Sequence, residues 1–144
     1  MQAYPHHYRA KAVAAAGSAV TLQSQGLENL NSDAPAEFGG PGDQWSPETL
    51  LIAAIADCFV LTFKAIARAS KIEWLDLQCE VEGVLERVEQ VTRFTRFDIH
   101  ATLKIASGVD EQKARHILEK SEAVCLITNS LKGEKRLRTD VIVS

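Results

Sequence analysis

Excess positive charge is the first thing this chain lacks. Its 16 Lys and Arg face 19 Asp and Glu, for a net charge of −3. That balance argues against a nucleic-acid partner, because phosphate binding needs clustered basic residues. The basic stretch KGEKRLR (132–138) reads as a solvated strand end. Cysteine is scarce too: three residues, an odd number without framework spacing, exclude a secreted disulfide scaffold and fit a reducing cytoplasm. There is no CxxC or HxxxH pair, and His6, His7, His100 and His116 are scattered, so no metal site is expected. GGPG (39–42) lacks the Lys-Ser/Thr of a phosphate loop, and no cofactor is expected. The N-terminal MQAYPHHYRAK has no basic-then-apolar leader pattern, which predicts no signal peptide. The apolar run from Leu50 to Phe63 carries Asp57 and is shorter than the roughly 20 residues of a membrane span. No membrane partner is expected.

What is present suits a cytoplasmic globular protein. With 144 residues and 46% apolar content, the chain should form a single domain, 1–144, with a real core. Residues 7–16 and 18–24, broken at Gly17, predict an N-terminal strand pair, and 31–45 predicts a loop dense in Gly, Pro, Asn and Asp. Ser46 followed by Pro47 is a strong helix start. The helix that follows, 46–70, is apolar all round and must be covered on more than one side. One small sheet covers one side only, so a second copy of the chain is expected on the other.

Two alternating stretches predict a long antiparallel hairpin turning near Glu89–Gln90. In the first, Leu75, Leu77, Cys79, Val81 and Leu85 face inward; in the second, Val91, Phe97, Ile99, Ala101, Leu103 and Ile105 do. A helix over 110–120 follows, with Ala114, Ile117 and Leu118 inward and a turn near Ser121–Ala123. A second short helix runs from about Cys125 to near Gly133, and a last strand spans 137–143. The order is that of an α+β fold rather than an alternating parallel one.

The chemistry-bearing candidates are the thiols. Cys79, between Leu77 and Val81 on an inward strand position, reads as an inert core cysteine. Cys58 lies mid-helix beside Asp57, and Cys125 opens CLITNSL, where a first-turn position would favour its thiolate through backbone N–H groups. For each of these two, a plain core role stands beside the reactive one. A Cys–His pairing is not excluded by spacing, but His100 and His116 read as surface residues.

Three segments together carry a resemblance. GGPG (39–42), SPETLLIAAIADCF (46–59) and CLITNSL (125–131), with the second cysteine 67 positions after the first, resemble the OsmC/Ohr family of thiol-dependent hydroperoxide reductases. The resemblance implies an OsmC-like fold: antiparallel sheets wrapped around a long central buried helix, in an intertwined homodimer. It implies reduction of organic hydroperoxides, and of hydrogen peroxide, in oxidative stress defence. Cys58 would be the peroxidatic thiol, Cys125 the resolving one, and an external dithiol, of lipoyl type for example, the reductant. Glu48 would match the glutamate that pairs with an active-site arginine. Ten residues separate Glu48 from Cys58, roughly 15 Å along one helix. Glu48 is therefore expected to serve the partner subunit's cysteine.

The chain departs from the family at two points. No arginine occurs between Arg9 and Arg68, where the activating one is expected, and Leu126 replaces the proline after the second cysteine. Arg9, Lys11 or an arginine of the partner chain would have to substitute. Asp57, if close, would raise the Cys58 pKa. The alternative to a peroxidase is thus an OsmC-fold protein that binds a small apolar ligand or senses oxidant without efficient turnover.

Overall fold

Ser46 starts the longest element. In the computed structural model, which describes residues 1–144, its Oγ accepts the Thr49 N–H at 3.1 Å. The Thr49 hydroxyl in turn accepts the Ser46 N–H at 2.9 Å. This reciprocal cap satisfies two end donors, and helix α1 then runs over Pro47–Ala69. The chain forms two units, Met1–Leu50 and Leu51–Ser144.

In the first unit, strands β1 (Lys11–Val13), β2 (Val20–Gln23) and β3 (Leu30–Ser32) make an antiparallel sheet in that order. The predicted pair is there, and β3 extends it, taking Asn31 and Ser32 from the stretch expected to be loop. Gly17, at φ 80°, supplies the left-handed position between β1 and β2. The segment from 33 to 45 is loop apart from one 3-10 turn at Ala36–Phe38, and the Asp33 N–H donates to the Trp45 carbonyl at 2.9 Å.

The second unit is a sheet covered on one face by helices. Strands β4 (Asp76–Val88) and β5 (Val91–Ile105) are the expected antiparallel hairpin. Glu89 and Gln90 both take positive φ, 50° and 68°, the geometry whose twist matches a two-residue hairpin. Strand β6 (Glu134–Val143) pairs with β5 in parallel, so the sheet is mixed rather than wholly antiparallel. Between them, α2 (Glu111–Ala123) and the single-turn α3 (Leu126–Asn129) form the crossover that a parallel neighbour requires. Asp110 caps α2 by accepting the Lys113 N–H at 3.1 Å. Helix α2 runs through the expected turn at 121–123, and the fully buried Ser121 hydroxyl finds its partner within the helix, donating to the Ile117 carbonyl at 2.7 Å.

The core lies between α1, α2 and the inner face of the sheet: Ile55, Phe59, Phe63 and Ala67 meet Phe97, Ile99, Ala101, Leu103, Ile105, Ala114, Ile117 and Leu118. Burying a phenylalanine such as Phe59 or Phe63 contributes roughly 1.5–3 kcal/mol. Opposite the Val84–Leu85 step β5 carries one extra residue, Thr95, since Val84 pairs with Arg96 and Leu85 with Phe94; an extra residue puts the side chains on its two sides out of phase by one face. Hence Val91, expected inside, is exposed, while Phe94 packs on the core. Leu75 is exposed as well, ahead of the first strand residue. A Cβ at Gly83 would meet the tip of Ile52 and the Phe94 ring, which would have to turn aside to admit it. By length and composition α1 would suffice to cross a membrane, where the shorter Leu50–Phe63 run was expected to fall short. Its inner line is nevertheless spent on the core, and Leu61 on its outer side is 56% exposed.

Candidate active site

Helix α1 presents Cys58 on the margin of its buried line, one residue before Phe59. Its thiol lies 3.9 Å from the Thr62 hydroxyl, one turn further on. Cys125 is fully buried at the N-cap of α3, where its carbonyl accepts the Asn129 N–H at 3.0 Å and its N–H donates to the Glu122 carbonyl at 3.2 Å. These bonds hold the Cys125 backbone at the junction of α2 and α3. The two thiols lie beside each other there, with no bond between the sulfurs.

The electrostatics of the pair are unequal. Burial pushes the Cys58 thiol up, but the Cys125 thiol, the Ile127 backbone, the Thr62 hydroxyl and the Leu126 backbone outweigh it. The net result is a Cys58 pKa below the ordinary thiol value. Cys125 goes the other way: burial raises it, and the Cys58 thiol raises it further against the lowering effect of Thr128. The helix start was expected to favour Cys125, at its cap. The Thr128 backbone does act on Cys125 in that sense, but burial outweighs it, while the Ile127 and Leu126 amides act on Cys58. Asp57 is exposed and is not among the groups acting on Cys58. Cys79, on the inner face of β4, is pushed up to about 11, first by burial and then by the charge of Cys125.

Glu48 belongs to the other unit, in the first turn of α1. Its Oε1 is buried and has no hydrogen-bond partner. It lines a hollow of about 630 Å³ together with Ala12, Leu22, Asp33, Phe38 and Leu50. Lys11 does not reach this hollow: Ala12 and Leu22 are cross-strand partners on the hollow's side, and Lys11, one residue before, is on the opposite face. Arg9 is exposed, its carbonyl tied to the Ser24 hydroxyl at 2.8 Å. Neither basic candidate pairs with Glu48.

His100 sits on the outer face of the sheet, its Nε2 2.7 Å from Asp140 Oδ2. That contact, with Arg138 nearby, holds the Asp140 carboxyl below its usual range. No group of three His, Cys, Asp or Glu side chains is arranged to hold a metal. The donors that sequence reasoning missed are the backbone amides of Leu126 and Ile127. Only the short apolar run after Cys125 hinted at them.

A family model described as OsmC-like protein matches residues 40–140. The chain belongs to the OsmC-like family. Among its relatives, the YmaD protein of Bacillus subtilis (strain 168) is 30% identical over 113 residues, covering 76% of this chain and 75% of that one. The organic hydroperoxide resistance protein of Xanthomonas axonopodis pv. citri (strain 306) is 31% identical over 101 residues, 69% of this chain and 68% of its own length. In three dimensions, an organic hydroperoxide resistance protein OsmC from Legionella pneumophila superposes with a TM-score of 0.76 at 25% identity, covering 97% of this chain and 99% of that one. An OsmC-like protein of unknown function from Vibrio cholerae superposes at 0.84 with 17% identity over 94% and 99% of the two chains, a likeness of fold. The α+β OsmC-like fold is therefore established for this OsmC-like protein.

Proposed function

We propose that this OsmC-like protein is a thiol-dependent peroxidase that reduces organic hydroperoxides, and hydrogen peroxide, in cytoplasmic oxidative stress defence. The observation that carries the reading is the Cys58 thiol, lowered by surrounding donors and facing Cys125. The Cys58 thiolate attacks the distal peroxide oxygen, the O–O bond breaks, and the alkoxide leaves as the alcohol after taking a proton. Cys58 is left as a sulfenic acid. The Cys125 thiol condenses with it, releasing water and forming a disulfide, and an external dithiol, of lipoyl type for example, reopens that bond by exchange. Resemblance to hydroperoxide resistance proteins supports the substrate class.

Residues 1–144 act in this proposal as one OsmC-like domain, paired with a second copy. The outer side of α1, where Leu61 is 56% exposed, is the apolar surface that copy would cover, and Glu48 would serve the partner subunit's cysteine. A stable monomer in gel filtration would refute the pairing. The unpartnered Glu48 oxygen favours a second reading, a ligand-binding or oxidant-sensing protein with little turnover. Consumption of cumene hydroperoxide with a dithiol reductant separates the two. Turnover in the wild type that falls to background in Cys58→Ser supports the enzyme; equal, near-background rates in both support the binder.

A further inference from the structure

Helix α1 carries two hydroxyls, those of Thr49 and Thr62. Thr49 spends its own on the helix start, accepting the Ser46 N–H. Thr62 stands half-buried in mid-helix, with Leu61 and Phe63 on either side. A hydroxyl inside a helix ordinarily bonds back to a carbonyl of the preceding turn. The others here do so: Ser121 to Ile117 at 2.7 Å, Thr128 to Cys125 at 3.2 Å and Ser130 to Leu126 at 2.8 Å. Thr62 departs from that habit. Its partner is the Cys58 sulfur, 3.9 Å away. Helical side chains tilt toward the N-terminus, so residue 62 leans over the turn that carries residue 58. Cys125, the other side chain bonded to this sulfur, is fully buried. Cys58 and Thr62 are only half-buried, so a molecule arriving from solvent meets sulfur and hydroxyl together.

We infer that the Thr62 hydroxyl is the catalytic proton relay that lets the alkoxide leave as the alcohol. The inference rests on the peroxidase reading and supplies the source of the proton in its first step. An oxygen standing about 2.7 Å from the hydroxyl, an ordinary O–H···O distance, is at the same time against the sulfur, given the 3.9 Å between them. The Cys58 thiolate forms the S–O bond to the distal oxygen as the O–O bond breaks. A hydroxyl both donates and accepts: Thr62 Oγ1 gives its proton to the leaving oxygen and takes the one that the distal oxygen carries. The alcohol departs neutral and the hydroxyl is restored. Sulfur is oxidised by two electrons, the peroxide bond is reduced by two, and the sulfenate left on Cys58 takes a proton from water to become the sulfenic acid.

Quenched-flow oxidation of Cys58 in the full-length protein, read by mass spectrometry, tests it with cumene hydroperoxide against peracetic acid. The cumyl alkoxide needs a proton to leave, whereas acetate leaves without one. Thr62→Val should slow oxidation by cumene hydroperoxide at least ~100-fold, the scale of a positioned general acid. With peracetic acid, and with iodoacetamide, which releases iodide, the loss should be only about two- to fivefold, the share owed to holding the thiolate. Thr62→Ala, which also lacks the hydroxyl but asks for no space, should show the same split. Thr62→Ser should restore the hydroperoxide rate by at least about tenfold, because the relay is the hydroxyl itself. Equal losses with all three reagents would reduce the hydroxyl to a tuner of the thiol and overturn the inference. So would an undiminished hydroperoxide rate in Thr62→Val, or no rescue by serine. Wild-type Cys58 that peracetic acid oxidises and cumene hydroperoxide does not would instead count against the peroxidase reading, and against the relay with it.

Discussion

Cys58 and Cys79 are two sulfurs in one unit, both partly buried and both pushed up by desolvation, yet they end on opposite sides of an ordinary thiol. Around Cys58 stand a second thiol, a hydroxyl one turn away and the first turn of α3. Around Cys79 the strand neighbours Leu77 and Val81 and the facing helix offer carbon, and the nearest charge is that of another thiol. The contrast teaches that burial without donors silences a cysteine here, and that a neighbouring thiol, with a helix start and a hydroxyl, reverses it.

Alkylation rates offer the sharpest way to break this comparison. With a pKa of about 11, Cys79 is about 10⁻⁴ thiolate at pH 7, whereas an unperturbed thiol is already a few per cent ionised. The lower intrinsic nucleophilicity of a more acidic thiol offsets about a tenfold share of that gap. Peptide-resolved iodoacetamide labelling should therefore modify Cys58 at least ~30-fold faster than Cys79. Equal rates would remove the basis of the contrast. Cys125→Ala takes away the largest lowering influence on Cys58; its labelling at pH 7 should slow by up to about tenfold, for a hydrogen bond to a charged group of ~1.5 kcal/mol. In the same variant a Cys58 sulfenic acid should persist long enough for dimedone trapping.

Leu126→Pro is a smaller and more selective probe. Leu126 is the first residue of α3, a position where proline is well tolerated, but the substitution deletes one amide acting on Cys58. Labelling of Cys58 should slow about two- to fivefold with the fold intact by circular dichroism. Cys79→Val should change Cys58 labelling least, by less than about twofold, with stability altered by under ~1.5 kcal/mol. It should also flatten alkaline destabilisation. A thiol ionising near 8.5 when unfolded and near 11 when folded leaves the unfolded chain binding fewer protons between those values. Stability then falls as pH rises through that window, and urea titrations from pH 8 to 11 would read the difference.

Much of the frame was legible in the residues. Ser46-Pro47 announces α1 because the cap and the fixed proline φ act locally, and the alternation of 97–105 declares a half-buried strand because its period is two. Val91 and Phe94 defeated the same reasoning: the bulge at Val84/Leu85 shifts the face, and a bulge leaves no letter of its own. The parallel placing of β6 was hidden for a related reason, since a crossover is fixed by where α2 and α3 return the chain, not by strand composition. At the site, resemblance brought Cys58 and Cys125 to notice as a pair. The amides that tune Cys58 are backbone groups, carried alike by nearly every residue, and only the fold aims them. The orphaned oxygen of Glu48 was equally invisible, because a lone carboxylate is defined by what fails to stand beside it.

Gly83 has no functional group, yet its bareness shapes the seat of α1. The tip of Ile52 rests on the ribbon where a methyl would stand, and the Phe94 ring closes the same spot. A single added carbon would first turn those two tips aside. Six positions further along the rod is the Cys58 sulfur, roughly 9 Å away at helical rise, so whatever displacement the tips did not absorb would fall on the stretch that carries it.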